Sequence, residues 1–156
     1  MNPTMQIDYS IALFIHILCM ASWFGGLAVM VIWLRKSIRF NNEGFSMTKS
    51  MESVHNLNVR MMIPVAVLGA IAGFYMLLTG SWSAYMPLWL IIKERAISIF
   101  ILLYIIALPI YGGKLSKRVQ SESGDAAVSA VKGYIMLLNI SVLVLLFTIF
   151  IATIKI

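Results

Sequence analysis

Four runs of apolar residues, each about as long as a bilayer is thick, leave this chain few folds to choose from. They extend from about Tyr9 to Leu34, Met61 to Leu78, Pro87 to Tyr111 and Tyr134 to Ile154. A helix needs roughly 20 apolar residues to cross ~30 Å of hydrocarbon. Backbone amides in lipid must be satisfied within their own segment, and the runs lack the alternation of barrel strands, so helices are the predicted form. Composition agrees: 61% of the 156 residues are hydrophobic and 12% are charged, about half the charge of a soluble domain. The predicted fold class is all-α, a four-transmembrane-helix bundle forming one integral membrane domain over residues 1–156.

A net charge of +6 invites a nucleic-acid reading, but the placement of the charge argues against it. Arg35, Lys36, Arg39, Lys49 and Arg60 fall between the first two runs, and Lys114, Lys117, Arg118 and Lys132 between the last two. The opposite side has the uncharged turn "TGSWSAYMP" and a lone Lys155. Basic loops stay in the cytoplasm, so both termini are expected on the non-cytoplasmic side of a cell membrane. The first run is long and ends in "WLRK", which reads as a retained span rather than a cleaved signal. Tyr9, Trp82, Tyr85 and Trp89 are the expected outer aromatic belt, and Trp33, Tyr111 and Tyr134 the inner one. The first basic loop is expected to hold a short surface helix, and the second an amphipathic turn or two. Pro109 is expected to kink or end the third span.

"GAIAG", Gly69 to Gly73, is a small-xxx-small element that lets helix backbones approach closely. Ala21 with Gly25, and Ser22 with Gly26, repeat the spacing; plain packing is one reading, and room for a flat cofactor at Gly25 and Gly26 is the other.

Ionisable residues at membrane depth are expensive and mark candidate sites. His16 lies seven residues after Tyr9, and Lys93 six after Pro87, which puts both ~10 Å below the outer boundary. A bundle of these helices would bring them together. His16, Met20, Trp23 and Leu27 form one helical stripe. Lys93, Glu94 and Arg95 fan around their helix and cannot all face inward, so Arg95 is expected to snorkel and Glu94 to pair locally. Imidazole is the commonest metal ligand and an axial ligand of haem iron. His16, Cys19 and Met20, at i, i+3 and i+4, also offer nitrogen, thiolate and thioether to Cu(I). His55, the only other histidine, lies more than ~20 Å away by span length and cannot share one iron with His16; it reads as a surface residue. Asn139 and Ser141 are expected to bond across helices or to be structural, and Asp8 to accept protons or pair with Arg95. Cys19 is the only cysteine, which excludes an intrachain disulfide and a Cys-based zinc site. No catalytic triad, phosphate loop or zinc motif occurs.

"IHILCMASWFGGL", "VRMMIPVAVLGAIAGFYML" and "WLIIKERAI" resemble the first three helices of small four-helix membrane proteins of the HemJ and CopD kind. HemJ-type proteins are protoporphyrinogen oxidases that bind haem b and need a histidine on helix one and a lysine on helix three. By position these are His16 and Lys93. The sequence departs from that pattern after Leu27, with "AVMVIWLRKS" in place of a Leu–Pro–Arg–Leu run. CopD-type proteins are linked to copper uptake or resistance.

The resemblance implies a haem b-binding membrane redox protein with His16 as axial ligand. Lys93 is then the catalytic candidate, as second ligand, propionate partner or proton carrier. Trp23, Gly25, Gly26 and Arg95 complete the cofactor-binding set. A porphyrin substrate or respiratory electron acceptor, the lipid bilayer and a second copy in a homodimer are the expected partners. Copper transport through His16, Cys19 and Met20 is one alternative, and a non-catalytic structural subunit the other.

Overall fold

The structure, a computed structural model, describes residues 3–41, 43, 45–80 and 88–154; the side chains of residues 3–5, 89 and 93 are outside that set. Among the described residues there are helices and no strands. Four helical rods are long and apolar enough to cross a membrane, and the protein is a multi-pass bundle. The first rod is α1, Pro3–Arg39. The second is α2, Met47–Leu57, joined through a π turn, Asn58–Met62, to α3, Ile63–Thr79. The third is α4, Leu88–Ala107, joined through a second π turn, Leu108–Gly112, to α5, Gly113–Ser121. The fourth is α6, Asp125–Ile154.

The rods outrun the spans read from the sequence. At 1.5 Å per residue a rod of 37 residues is roughly 55 Å long, about 25 Å more than the hydrocarbon needs. The first rod overruns its apolar run at both ends, whereas the other three extend past theirs at the end bearing the basic loops, the basic end; the other is the terminal end. The expected loop helix is α2, capped by Ser46, whose side chain accepts from the Lys49 N–H. Met47, Ser50, Met51 and Val54 form its buried face. The expected amphipathic turns are α5, with Ser116 and Val119 buried. Gly124, at φ 65°, turns the chain into α6, a left-handed conformation that glycine adopts without penalty.

Pro109 does not end its helix. It sits in the second π turn, and the rod runs on to Ser121. Pro64 follows the first π turn, where the Ile63 N–H reaches back five residues to the Asn58 carbonyl. Proline has no N–H to donate, and a wider turn absorbs the missing bond without stopping the rod.

Around the bundle, α1 packs on α3 and α6, and α4 packs on α6 and more sparsely on α3. At the basic end α2 packs on α1 and α5, and α5 on α6. The largest fully buried side chains, among them Trp23, Leu27, Leu34, Met51, Val131 and Tyr134, all belong to the basic end and the middle of the bundle. Leu68, Ile71, Phe74, Leu102, Leu103, Phe147 and Phe150 point outward, as lipid-facing positions do.

Candidate functional site

The close approach of α1 and α3 builds the site. A Cβ at Gly69 would come within 2.6 Å of Met20 Cε and 3.0 Å of Cys19 Cβ, and one at Gly73 within 3.0 Å of His16 Cε1. Both glycines of "GAIAG" are therefore needed where they stand. The missing Cβ at Gly73 lets the His16 ring lie across α3, where its Nδ1 is 2.7 Å from the Gly69 carbonyl. A carbonyl only accepts, so Nδ1 carries the proton. In the neutral ring Nε2 then holds the lone pair.

His16 and Met20 border two cavities. One is a cleft of about 100 Å³ between α1, α3 and α4, which Gly73, Leu77, Glu94 and Ser98 also line. The other is a groove of about 370 Å³ between α1, α4 and α6, lined also by Ala21, Ile97, Thr148 and Ala152. Exposed Ile17 and Ile149 stand at the groove's rim, so it opens toward lipid.

The other sequence candidates are dispersed. Cys19 is buried on the Gly69 side and does not line either cavity. Trp23 is fully buried beside Phe100 and Tyr104, with ring centroids 5.7 and 4.9 Å away, one and a half turns or more from His16 along the helix. Gly26 faces Met62, and Gly25 has nothing within 4 Å. Arg95 is exposed, while Glu94 is half-buried in the cleft. Neighbours on a helix diverge by about 100°, which explains the split. Trp82 and Tyr85, and the side chains of Trp89 and Lys93, are outside the described residues. Among the described residues no three His, Cys, Asp or Glu side chains converge as a metal site.

A second polar cluster was not anticipated. His55, expected at the surface, is half-buried, its ring edge-on to Tyr134 with centroids 5.9 Å apart. The Tyr104 hydroxyl donates to Asn58 Oδ1, and Asn58 Nδ2 donates to the Tyr134 oxygen at 3.4 Å. That leaves the Tyr134 hydroxyl to donate to His55 Nδ1 at 3.2 Å. Asn58 is fully buried. The buried Trp23 N–H meets Tyr104 only edge-on, outside hydrogen-bonding geometry. The hydrogen-bonded groups come from the second, third and fourth rods, and Trp23 of the first packs edge-on against Tyr104. Gly112 makes room for it, because a Cβ there would lie 2.7 Å from Tyr134 Cε2 and 3.1 Å from His55 Nδ1.

The signal for His55 was present in the sequence. Met47, Met51, Val54 and Asn58 recur at helical spacing, so the helix carrying His55 has a face to bury. His55 lies 14 to 18 residues before the glycines that seat His16, on the same rod. That separates the two imidazoles by roughly 20–27 Å. Ser141, expected to bond across helices, bonds the Leu137 carbonyl of its own helix at 3.0 Å.

Compared with family models, curated proteins and solved structures, the chain matches none of them.

Proposed function

We propose that this chain is a haem b-binding redox protein of the cell membrane, with both termini outside the cytoplasm and His16 as the axial ligand. One observation carries the reading: the 2.7 Å bond between His16 Nδ1 and the Gly69 carbonyl. A ligating histidine characteristically donates its other ring N–H to a carbonyl or carboxylate, which fixes the tautomer and makes the ligating nitrogen more basic. Here a glycine seat on a neighbouring helix supplies that arrangement at membrane depth.

The donor set and the space are compatible with the group. The groove of about 370 Å³ beside His16 is within the ~300–1,000 Å³ of cofactor pockets. Met20 stands one turn from His16 on the same helix face, so it flanks the ligand rather than opposing it. Bound there, haem b supplies one-electron chemistry. The residues of the chain orient the ring, exclude water with an apolar lining and leave a lateral opening to lipid. The resemblance to HemJ-type proteins makes porphyrinogen oxidation the first activity to assay. Copper binding rests on Met20 beside His16, since Cys19 is turned toward α3.

The deciding measurement is the absorption spectrum of detergent-purified protein, oxidised and reduced, with iron and copper assayed beside His16→Ala. A Soret band that the variant loses is the expected result. No Soret band after haem is supplied would sink the reading, and copper bound through His16 would replace it with transport.

A further inference from the structure

We propose that the hydrogen bond from Tyr134 to His55 is an acid-released latch, which holds α2 in place while His55 is neutral and frees it when His55 takes a proton. The latch needs no cofactor. It follows from the direction of one hydrogen-bonded chain.

That direction is fixed at every link. Asn58 is fully buried; its Oδ1 accepts from the Tyr104 hydroxyl and its Nδ2 donates to the Tyr134 oxygen. Tyr134, also fully buried, is left to donate to His55 Nδ1 at 3.2 Å. His55 therefore closes the chain as an acceptor, which only a neutral imidazole can be. A protonated ring carries an N–H at both nitrogens. Its Nδ1 would then compete for the Tyr134 oxygen, and the Tyr134 hydrogen would lose its acceptor.

The chain cannot recover by turning round. Rotating the Asn58 amide would let Oδ1 accept from Tyr134 and Nδ2 donate to Tyr104, which then needs an acceptor for its own hydrogen. Beyond Tyr104 stands Trp23, edge-on with ring centroids 4.9 Å apart, whose buried indole N–H has no hydrogen-bond partner. An indole N–H donates and never accepts. Either arrangement leaves one hydroxyl hydrogen orphaned in the core, so the whole chain opposes a proton on His55.

The surroundings of His55 act in the same direction. It lies six residues before Met61, where the apolar run begins, and so ~9 Å outside the hydrocarbon. Half-buried there, it is held below the ordinary histidine range by desolvation. Tyr134 is the titratable group in contact with it. The charged side chains of the elements around it are all exposed: Lys49 and Glu52 on its own helix, Arg60 in the π turn, Arg35, Lys36 and Arg39 on α1, Lys114, Lys117 and Arg118 on α5, and Lys132 on α6. Water and salt screen charges so placed.

A released His55 takes its proton near pH ~6.5, and the latched one only further into acid. Between those limits the released form binds more protons. The latch is therefore fully closed above that window and weakens as pH falls through it. Both rods that meet at the latch change helix type there, since Asn58 opens one π turn and Gly112 closes the other. Such turns are places where helices bend.

The test has two arms on full-length protein with isotope-labelled histidine in phosphatidylcholine nanodiscs. In the first, nitrogen NMR follows the two imidazoles across pH, and the signal that persists in His16→Ala is His55. Its neutral ring should carry the proton on Nε2 and titrate below pH ~6.5, moving up toward that value in Tyr134→Phe. A neutral ring protonated on Nδ1, or a titration at or above pH ~6.5, would overturn the proposal whatever the variants do. In the second, deuterium exchange of the α2 amides is compared with His55→Gln, which keeps a neutral acceptor in Oε1. Both proteins are read at the same pH, so the intrinsic exchange chemistry cancels. At about pH 5 the wild type should exchange about tenfold faster, the weight of one orphaned buried hydroxyl, and at about pH 7.5 the two should agree. Equal exchange in acid would also overturn the latch.

Discussion

His16 and His55 are seated alike and serve unlike surroundings. Each ring lies against a glycine of a facing rod, Gly73 for His16 and Gly112 for His55. At the basic end the glycine closes a packed core, and the polar atoms of three rods are joined in one hydrogen-bonded chain. At the terminal end the glycine sets an imidazole between two cavities, with α3 and α4 in sparse contact. The same local device therefore locks one half of the bundle and leaves the other open. Most of the fully buried side chains belong to the first half, and the proposed haem site lies in the second.

The largest effect that would break this division is expected at Asn58. Asn58→Leu leaves the buried Tyr104 hydroxyl without its acceptor and takes a donor from Tyr134. Each orphaned buried polar group costs about 1–3 kcal/mol, so a loss of about 2–4 kcal/mol is expected, read as unfolding in mixed micelles of rising SDS fraction. Tyr134→Phe, which removes one hydroxyl and its bonds to His55 and Asn58, should cost about 1–2 kcal/mol. In both variants the haem bound per folded chain should be unchanged. Haem loss in step with stability would mean that the two halves are one unit.

The contrast was only half legible in the sequence. Four apolar runs required four helices, and "GAIAG" identified the surface of α3 that α1 approaches. His16 stood out because an imidazole has no cheap reason to be there. The basic end was harder to read, because the sequence separates its parts. His55 and Asn58 lie in one loop region, Gly112 and Tyr134 in another, and only the extension of the rods beyond the bilayer brings them together. A positive loop reads as solvent until its helices are known to pack. Trp23 was grouped with His16 because both lie on one stripe of α1, yet a stripe seven residues long passes two different environments. Glu94 and Arg95 could be told apart only once the neighbours of α4 were in place.

A matched pair of substitutions sharpens the comparison. Gly73→Ala places a Cβ 3.0–3.1 Å from the His16 ring, so the imidazole must shift by a few tenths of an ångström from the Gly69 carbonyl. Losing such an orienting bond typically costs 10–100-fold in affinity at a metal centre, and a fall of that size in haem affinity is expected with little change in unfolding. Gly112→Ala should do the reverse. Its Cβ would press on the ring of the fully buried Tyr134 at 2.7 Å and on His55 Nδ1 at 3.1 Å. About 1–3 kcal/mol of overpacking cost follows, with haem affinity unchanged. Matching effects on both readouts in both variants would erase the distinction between the two seats.

The smallest effect is expected at Gly25. It stands beside Gly26 and was a candidate for making room for a flat cofactor, but the two residues differ in the folded chain. A Cβ at Gly26 would meet Met62 Sδ at 2.5 Å, the far part of a flexible side chain, whereas one at Gly25 would meet nothing within 4 Å. Gly25→Ala therefore adds a methyl to an outward face of α1 and removes a flexible residue from a helix interior. A change within about 1 kcal/mol, in the stabilising direction, follows from helix propensity alone. Haem titration of Gly25→Ala should superimpose on the wild type, because the groove beside His16 is lined by Ile17 and Ala21 and does not reach Gly25. Weaker haem binding in this variant would move the cofactor one turn deeper than the groove. Gly25 would then be part of the open half of the bundle rather than a neutral position on its surface.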